Sequence, residues 1–278
     1  MKTRLNLHTL VPAPLKPALR AGRESLLDVA DRLVKHDADH PPRPLQRLVG
    51  DGDFRAVGAS LLGDLVKHTA LTPTSSVLDV GCGIGRVAVP LSRFLDANGH
   101  YEGFDIMPQA IEWCQKQITS HYPAFRFQLA DIHSVYYNPK GTLQARNYVF
   151  PYSDEHFDVV FLTSIFTHLL PDDMEHYLEE IARVLKPSGR VLFTMFLLNE
   201  SSLRAIQEGK ARFNPLVEVP RGRIADPAFP EAVVAHDEAC VRAICKRLDL
   251  QVEVTYGSWS RGVATGQAHD FICAWKQA

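Results

Sequence analysis

The sequence predicts an α/β protein built on a mostly parallel sheet with helices on both faces. Three observations carry that reading. From residue 76, short apolar strands alternate with helical patterns: SVLDV, a helix from about residue 85, YEGFD, a helix from about 107, then FRFQLAD. The segments FDVVFLTS and GRVLFTMFLLN are nearly continuous in apolar residues, as befits strands covered on both faces. Within VLDVGCGIGR a glycine loop stands where a strand passes into a helix, so backbone can approach a ligand closely there.

Composition bounds the rest. Of 278 residues, 46% are hydrophobic and 22% charged, which suits a globular chain with a sizeable core and argues against disorder or a collagen-like fibre. Lys and Arg total 30 against 32 Asp and Glu, a formal charge of −2, so no overall basic field draws the chain to nucleic acid or an acidic membrane. The five cysteines are odd in number, widely spread and lack a CxxC pair, which reads as reduced thiols in a cytoplasmic protein. The first twenty residues hold no unbroken apolar segment, and no stretch reaches the roughly 18 apolar residues of a spanning helix. A cytoplasmic location is therefore expected.

Residues 1–71 read as an N-terminal arm with accessory helices. Pro12, Pro14 and Pro17 favour an extended start, and Leu26, Ala30, Leu33 and Val34 follow helical spacing up to the proline-rich connector at 40–44. Asp53 is an expected N-cap for a helix whose apolar stripe is Phe54, Val57, Leu61 and Leu65. Residues 72–278 then form the main domain. Pro90 is compatible with its first helix if that helix starts near Arg86, because first-turn N–H groups have no intrahelical partner.

Two insertions are expected, near 132–156 and 200–235. The first is rich in aromatic and turn-forming residues; the second has weak periodicity and four prolines, and reads as an irregular cover over one end of the sheet. Between them Asp172 and Asp173 open a helix whose inward face is Met174, Tyr177, Leu178, Ile181, Val184 and Leu185, stopped by Lys-Pro-Ser-Gly. Asp237 can cap the last helix, and QVEVTYG with HDFICAW close the chain as an antiparallel pair.

The glycine loop carries the chemistry. Gly81, Gly83 and Gly85 are spaced G-x-G-x-G, and Arg86 stands where the dinucleotide fingerprint G-x-G-x-x-G calls for glycine or alanine; a purely structural tight turn is the third reading. Asp79, two residues before the loop, would repel a pyrophosphate and attract the ammonium of an amino-acid-bearing cofactor. Asp105 ends the second strand, where a carboxylate can accept from both ribose hydroxyls. Asp131 ends the third, in reach of an adenine amine.

With these motifs in order, the sequence resembles the class I S-adenosylmethionine-dependent methyltransferases. The resemblance runs through VLDVGCGIGRVAVPL, GFDIMPQAI, LAD, FPYSDEHFDVVF and IARVLKPSGRVLF, roughly residues 72–198. It implies a Rossmann-like, seven-stranded sheet with an antiparallel C-terminal strand, and S-adenosyl-L-methionine as cofactor. By the same resemblance Gly81, Cys82 and Gly83 would line the methionine end, Asp105 would hold the ribose, Ile106 would pack on adenine, and Asp131 with Ile132 would contact its edge. Gly85 completes the loop, and Arg86 faces either the cofactor carboxylate or solvent. Cys82 reads as a small loop residue, since nothing near it in sequence would activate a thiol.

A hydroxyl acceptor that keeps its proton at neutral pH needs a base, and two histidines stand at strand ends facing the expected site, His168 and His133. His156 and His176 read as surface residues. Tyr136, Tyr137, Tyr148, Phe150 and Tyr152 either shape an acceptor pocket or anchor their long loop. No Asn/Asp-Pro-Pro-aromatic signature, appended RNA-binding module or clustered metal ligands are present, so nucleic acid and metal are not expected. The expected function is methyl transfer to a small molecule, at oxygen of a hydroxylated metabolite or carbohydrate. N- or C-methylation, a catalytically silent cofactor-binding partner subunit and a homo-oligomer stay open, while a nicotinamide oxidoreductase is disfavoured by Asp79 and Arg86.

Overall fold

The computed structural model describes residues 40–50, 52–261 and 267–277; the expected proline-rich arm and the helix around residues 26–34 lie outside the described residues. The chain divides into two compact units, Met1–Gly52 and Asp53–Ala278. Described in the first is a helical turn, Arg43–Gln46, followed by a 3-10 turn, Arg47–Val49. Pro44 lies in the first turn, where its missing N–H leaves no bond unmade, so helix begins inside the stretch expected to be only a connector.

The second unit opens with α1 (Phe54–His68), capped as expected by the Asp53 carboxylate, which accepts from Ala56 N at 2.8 Å. Phe54 and Leu65 are buried. Gly58 lies so near the Arg86 carbonyl that a Cβ there would sit 2.3 Å from its oxygen. Helix α1 therefore belongs to this unit, whose boundary falls between Gly52 and Asp53 instead of before residue 72.

Strands β1 (Ser76–Val80), β2 (His100–Asp105), β3 (Phe125–Leu129), β4 (Phe157–Leu162), β5 (Leu185–Met195), β10 (Leu250–Thr255) and β11 (Asp270–Lys276) form one sheet in the order β10-β11-β5-β4-β1-β2-β3. All neighbours are parallel except β11, which runs antiparallel to both β5 and β10. Helices α2 (Ala88–Phe94), α3 (Pro108–Cys114), α4 (Pro171–Val184) and α6 (Glu238–Arg247) make the connections. Pro90 does fall in the first turn of α2. The α4 stripe Met174, Tyr177, Leu178, Ile181 and Val184 is buried in the main core with Val160, Leu162, Val191 and Phe193 of the sheet.

The 200–235 segment is not irregular. Chain leaves the main sheet at Phe196, and β6 (Leu197–Leu198), β7 (Val217–Val219), β8 (Gly222–Ile224) and β9 (Val234–Asp237) form a second, four-stranded sheet in the order β6-β9-β8-β7, preceded by α5 (Glu200–Gln207). The expected strand through Asn199 is thereby broken in two. Asn199 and Ser202 start α5 with a reciprocal capping box, a signal present in the sequence as N-E-S-S. Asp270 fastens this region to the main sheet: its carboxylate accepts from Leu197 N, Gly257 N and Trp259 Nε1 at 2.7–2.8 Å.

The 132–156 insertion is pinned to α4 by polar contacts that replace regular secondary structure. Glu180, buried, accepts from Phe150 N at 2.7 Å and pairs with Arg183, whose guanidinium also donates to the Phe150 and Tyr152 carbonyls. Asp173 accepts from Arg146 N and the His176 ring donates to the Tyr148 carbonyl. Replacing Glu180 by Ala leaves the buried Phe150 N–H without its acceptor and takes from Arg183 one of its two carboxylate partners. We expect Glu180→Ala to lower unfolding free energy by about 2–3 kcal/mol in urea titration and to speed proteolysis within 132–156.

Candidate functional site

The crevice lies at the C-terminal ends of β1, β2 and β4, where consecutive connections leave the sheet in opposite directions. Gly81, Gly83 and Gly85 all have positive φ, 76°, 54° and 72°. A Cβ on Gly81 would lie 2.1 Å from Ile165 Cδ1, and one on Gly85 would lie 2.4 Å from Ile118 Cδ1, so a side chain at either would push those isoleucine ends aside as well as strain the backbone. Ile165 is presented by a left-handed turn at Ser164, whose N–H donates to Thr194 Oγ1 at 2.7 Å. The loops after β1 and β4 are thus packed on each other.

The loop spends its own donors internally. Gly81 N and Cys82 N donate to the Phe104 carbonyl at 2.8 and 3.0 Å, Gly85 N to the Cys82 carbonyl at 3.0 Å, and Gly83 N to Asp105 Oδ2 at 2.8 Å. A phosphate cradle needs such N–H groups pointing outward. This edge instead offers acceptors. Asp105 is buried and also accepts from Met107 N at 2.9 Å through Oδ1. Burial raises its pKa, with the backbone donors at Met107, Gly83 and Ile106 opposing that rise. Each oxygen retains a second lone pair for a ligand hydroxyl.

Asp79 corrects an expectation. It is buried beneath the loop, its Oδ2 accepts from Tyr101 OH at 2.7 Å, and it was expected to meet an ammonium as a carboxylate. Burial, only partly opposed by the Tyr101 hydroxyl and reinforced by the nearby Asp105 charge, pushes its pKa up to about 8. Asp105 differs from Asp79 in the backbone N–H groups of Gly83 and Met107 that it accepts from, which favour its charged form.

The remaining expected residues are dispersed in role. Asp131 is exposed and accepts from both the backbone N–H and the hydroxyl of Thr142, closing the first turn of the insertion. Ile132 is buried in the main core and bridges to Leu143, while Ile106 packs half-buried against that core. Cys82 is buried with its thiol pKa pushed well up by burial, which agrees with a spacer and not a nucleophile. Arg86 is half-buried, and burial lowers its pKa. His133 lies half-buried in the turn held by Thr142, its backbone N–H donating to the Leu143 carbonyl at 2.8 Å.

His168 is held differently. Its Nδ1 lies 2.8 Å from the Glu231 carbonyl oxygen, an acceptor only, so Nδ1 carries a proton and Nε2 is the atom that holds the lone pair of the neutral ring. Its ring meets Tyr137 edge-on at 6.2 Å, and Tyr137 in turn feels the Asp105 charge, which links this histidine to the glycine-loop end of the crevice. Two further imidazoles differ from it, His236 buried and His269 half-buried. His236 donates from Nε2 to the Phe166 carbonyl and His269 stacks on Phe196; burial lowers both to a pKa of about 4 and keeps them neutral. The sequence reading missed Glu231 and Phe229, which flank Pro230 in the segment taken as irregular; the isolated Phe229 between prolines was the available signal.

Ribose hydroxyls and an adenine amine are donors, and they fit the acceptors of Asp105 and Asp131 beside a loop whose N–H groups at Gly81, Cys82, Gly83 and Gly85 are engaged within the protein. Sheet order and site together define a class I methyltransferase domain, for which S-adenosylmethionine is the cofactor. Residues 77–189 match the family model described as a methyltransferase domain. It is similar to the O-methyltransferase rstn1 of Aspergillus nomiae, 29% identical over 52% of this chain and 56% of that one. It is also similar to the O-methyltransferase resE of Aspergillus sclerotiorum, 26% identical over 77% and 75%, and to human arsenite methyltransferase, 28% identical over 42% and 30%. The chain thus spans somewhat over half of the first fungal relative and under a third of the human one. Among solved structures, the PH0226 protein of Pyrococcus horikoshii shares the fold at TM-score 0.55 and 18% identity, over 83% of this chain and 93% of that one. Among the described residues, no helix is long and apolar enough to cross a membrane.

Asp79 makes stability depend on pH in a definite direction. Its folded-state pKa of about 8 exceeds the ordinary 3.8, so the fold retains a proton that the unfolded chain has released. That stabilisation is full below about pH 4 and is lost as the pH rises through 8. Asp79→Asn keeps an acceptor for Tyr101 without titrating. Its melting temperature relative to the natural protein should rise steadily from pH 5 to pH 9 in a calorimetric series; a constant difference would mean that Asp79 is not protonated in the fold.

Proposed function

We propose that the chain transfers the methyl group of S-adenosylmethionine to a hydroxyl oxygen of a small molecule, with His168 as general base. The bond from His168 Nδ1 to the Glu231 carbonyl carries this reading, because it fixes the tautomer in which Nε2 is the proton-accepting atom of the neutral ring. The O-methyltransferase names of two fungal relatives support the choice of oxygen.

When bound, the cofactor supplies a methyl on a positively charged sulfur, which leaves as a neutral thioether. Asp105 would hold the ribose through the free lone pairs of a carboxylate already oriented by Gly83 N and Met107 N. The glycine loop and Ile165 would set the depth of the methionine end. His168 Nε2 would take the acceptor's proton as the oxygen pair forms its bond to the methyl carbon and the carbon–sulfur bond breaks with its pair on sulfur. Because Glu231 O fixes the ring, the imidazole does not have to be oriented during the reaction.

Two experiments test the reading. Asp105→Ala should weaken S-adenosylmethionine binding about tenfold to a hundredfold in calorimetric titration, the loss of one or two hydrogen bonds to a charged group. His168→Ala should lower kcat on a hydroxyl acceptor by about 10²–10⁴ while leaving cofactor affinity unchanged. Full turnover by His168→Ala would remove this residue from the chemistry.

A further inference from the structure

Four rings form a connected row on the open side of the crevice. Phe229 meets Tyr136 at 5.9 Å, Tyr136 meets Tyr137 at 6.4 Å, and Tyr137 meets His168 at 6.2 Å. The row joins the two insertions, which are also tied by Ser134 Oγ donating to Glu231 Oε2 at 3.0 Å. Phe229, Tyr136 and Tyr137 remain 47%, 49% and 43% exposed, with Val135 and Leu143 of the same insertion also exposed. The insertion's other aromatics are spent differently: Phe150 is buried against Phe104 and Tyr177, and Tyr148 and Tyr152 pack on the core. Exposed rings in contact with one another, ending at a ring whose Nε2 accepts a proton, are arranged for a ligand and not for the core.

We infer that the methyl acceptor is an uncharged planar aromatic bearing a phenolic hydroxyl, lying along Phe229, Tyr136 and Tyr137 with that hydroxyl toward His168. This rests on the proposed oxygen transfer and narrows it from hydroxylated molecules in general. Flat apolar rings are bound by stacking and edge contacts with other rings, which this row supplies. A sugar would need several polar partners, yet Glu231 is already engaged by Ser134 and the described row contributes mainly ring faces and edges. An anionic acceptor would meet the Asp105 charge that Tyr137 already feels. A phenol, with a pKa near that of tyrosine at about 10, also keeps its proton at neutral pH and so requires the base that His168 provides.

The test is calorimetric titration of the full chain, saturated with S-adenosylhomocysteine, using 1-naphthol and methyl glucoside as probes. Naphthol should bind and glucoside should not. The double variant Tyr136→Ala/Phe229→Ala should bind naphthol at least about tenfold more weakly, and Tyr136→Phe should restore most of the affinity. Equal binding of both probes, or an unchanged affinity in the double variant of unaltered melting temperature, would overturn the inference. Turnover with S-adenosylmethionine is read separately. Ring-dependent naphthol binding without formation of the methyl ether would uphold the aromatic site and defeat the transfer reading. Methylation of the glucoside with no naphthol binding would do the reverse.

Discussion

One carboxylate organises the crevice. Asp105 ends β2, yet its two oxygens are occupied by the N–H groups of Gly83 in the loop after β1 and of Met107 at the start of the next connection. Its position fixes the loop, and the loop through Gly81 fixes where Ile165 rests and hence the path that leads on to His168. The charge of Asp105 also adds to the burial that raises the pKa of Asp79. The positions of the glycine loop and of the turn that carries Ile165 both trace back to this residue.

The rest of the site is assembled from distant pieces of chain that have little regular structure of their own. The 132–156 insertion holds its course because Glu180, Arg183, Asp173 and His176 on α4 satisfy its backbone groups. The second insertion is held by Asp270 and by β9, whose Val234 and His236 N–H groups donate to the Thr167 and Phe196 carbonyls. Both anchors leave the outer faces of the insertions unconstrained in sequence. Ring residues could therefore be placed there without disturbing the sheet below, which is the usual relation between a rigid scaffold and its functional loops.

Much of this was legible in the sequence for a physical reason: parallel strands buried on both faces and a glycine loop between strand and helix leave patterns in contiguous residues. Strands β1 to β5 and the loop at Gly81, Gly83 and Gly85 were read on that basis. The second sheet was not, since strands as short as Leu197–Leu198 and Gly222–Ile224 carry no period and gain their stability from pairing with remote chain. Asp79 was recognised as important, but its protonation follows from burial, which a list of residues does not display. The bond that orients His168 joins residues 63 positions apart, so the histidine was visible and its partner was not.

The inward-turned N–H groups of the glycine loop bear on competition among metabolites. A cell holds adenine nucleotides whose adenosine half matches that of S-adenosylmethionine, and an adenosine pocket alone could not tell them apart. Here the loop N–H groups at Gly81, Cys82, Gly83 and Gly85 are already engaged, and one of their acceptors is the carboxylate of Asp105. A triphosphate or pyrophosphate entering that edge would lose its hydration without finding donors in those positions and would face like charge. The backbone itself thus bears on which relatives of the cofactor this edge suits, through the atoms its amide hydrogens already hold.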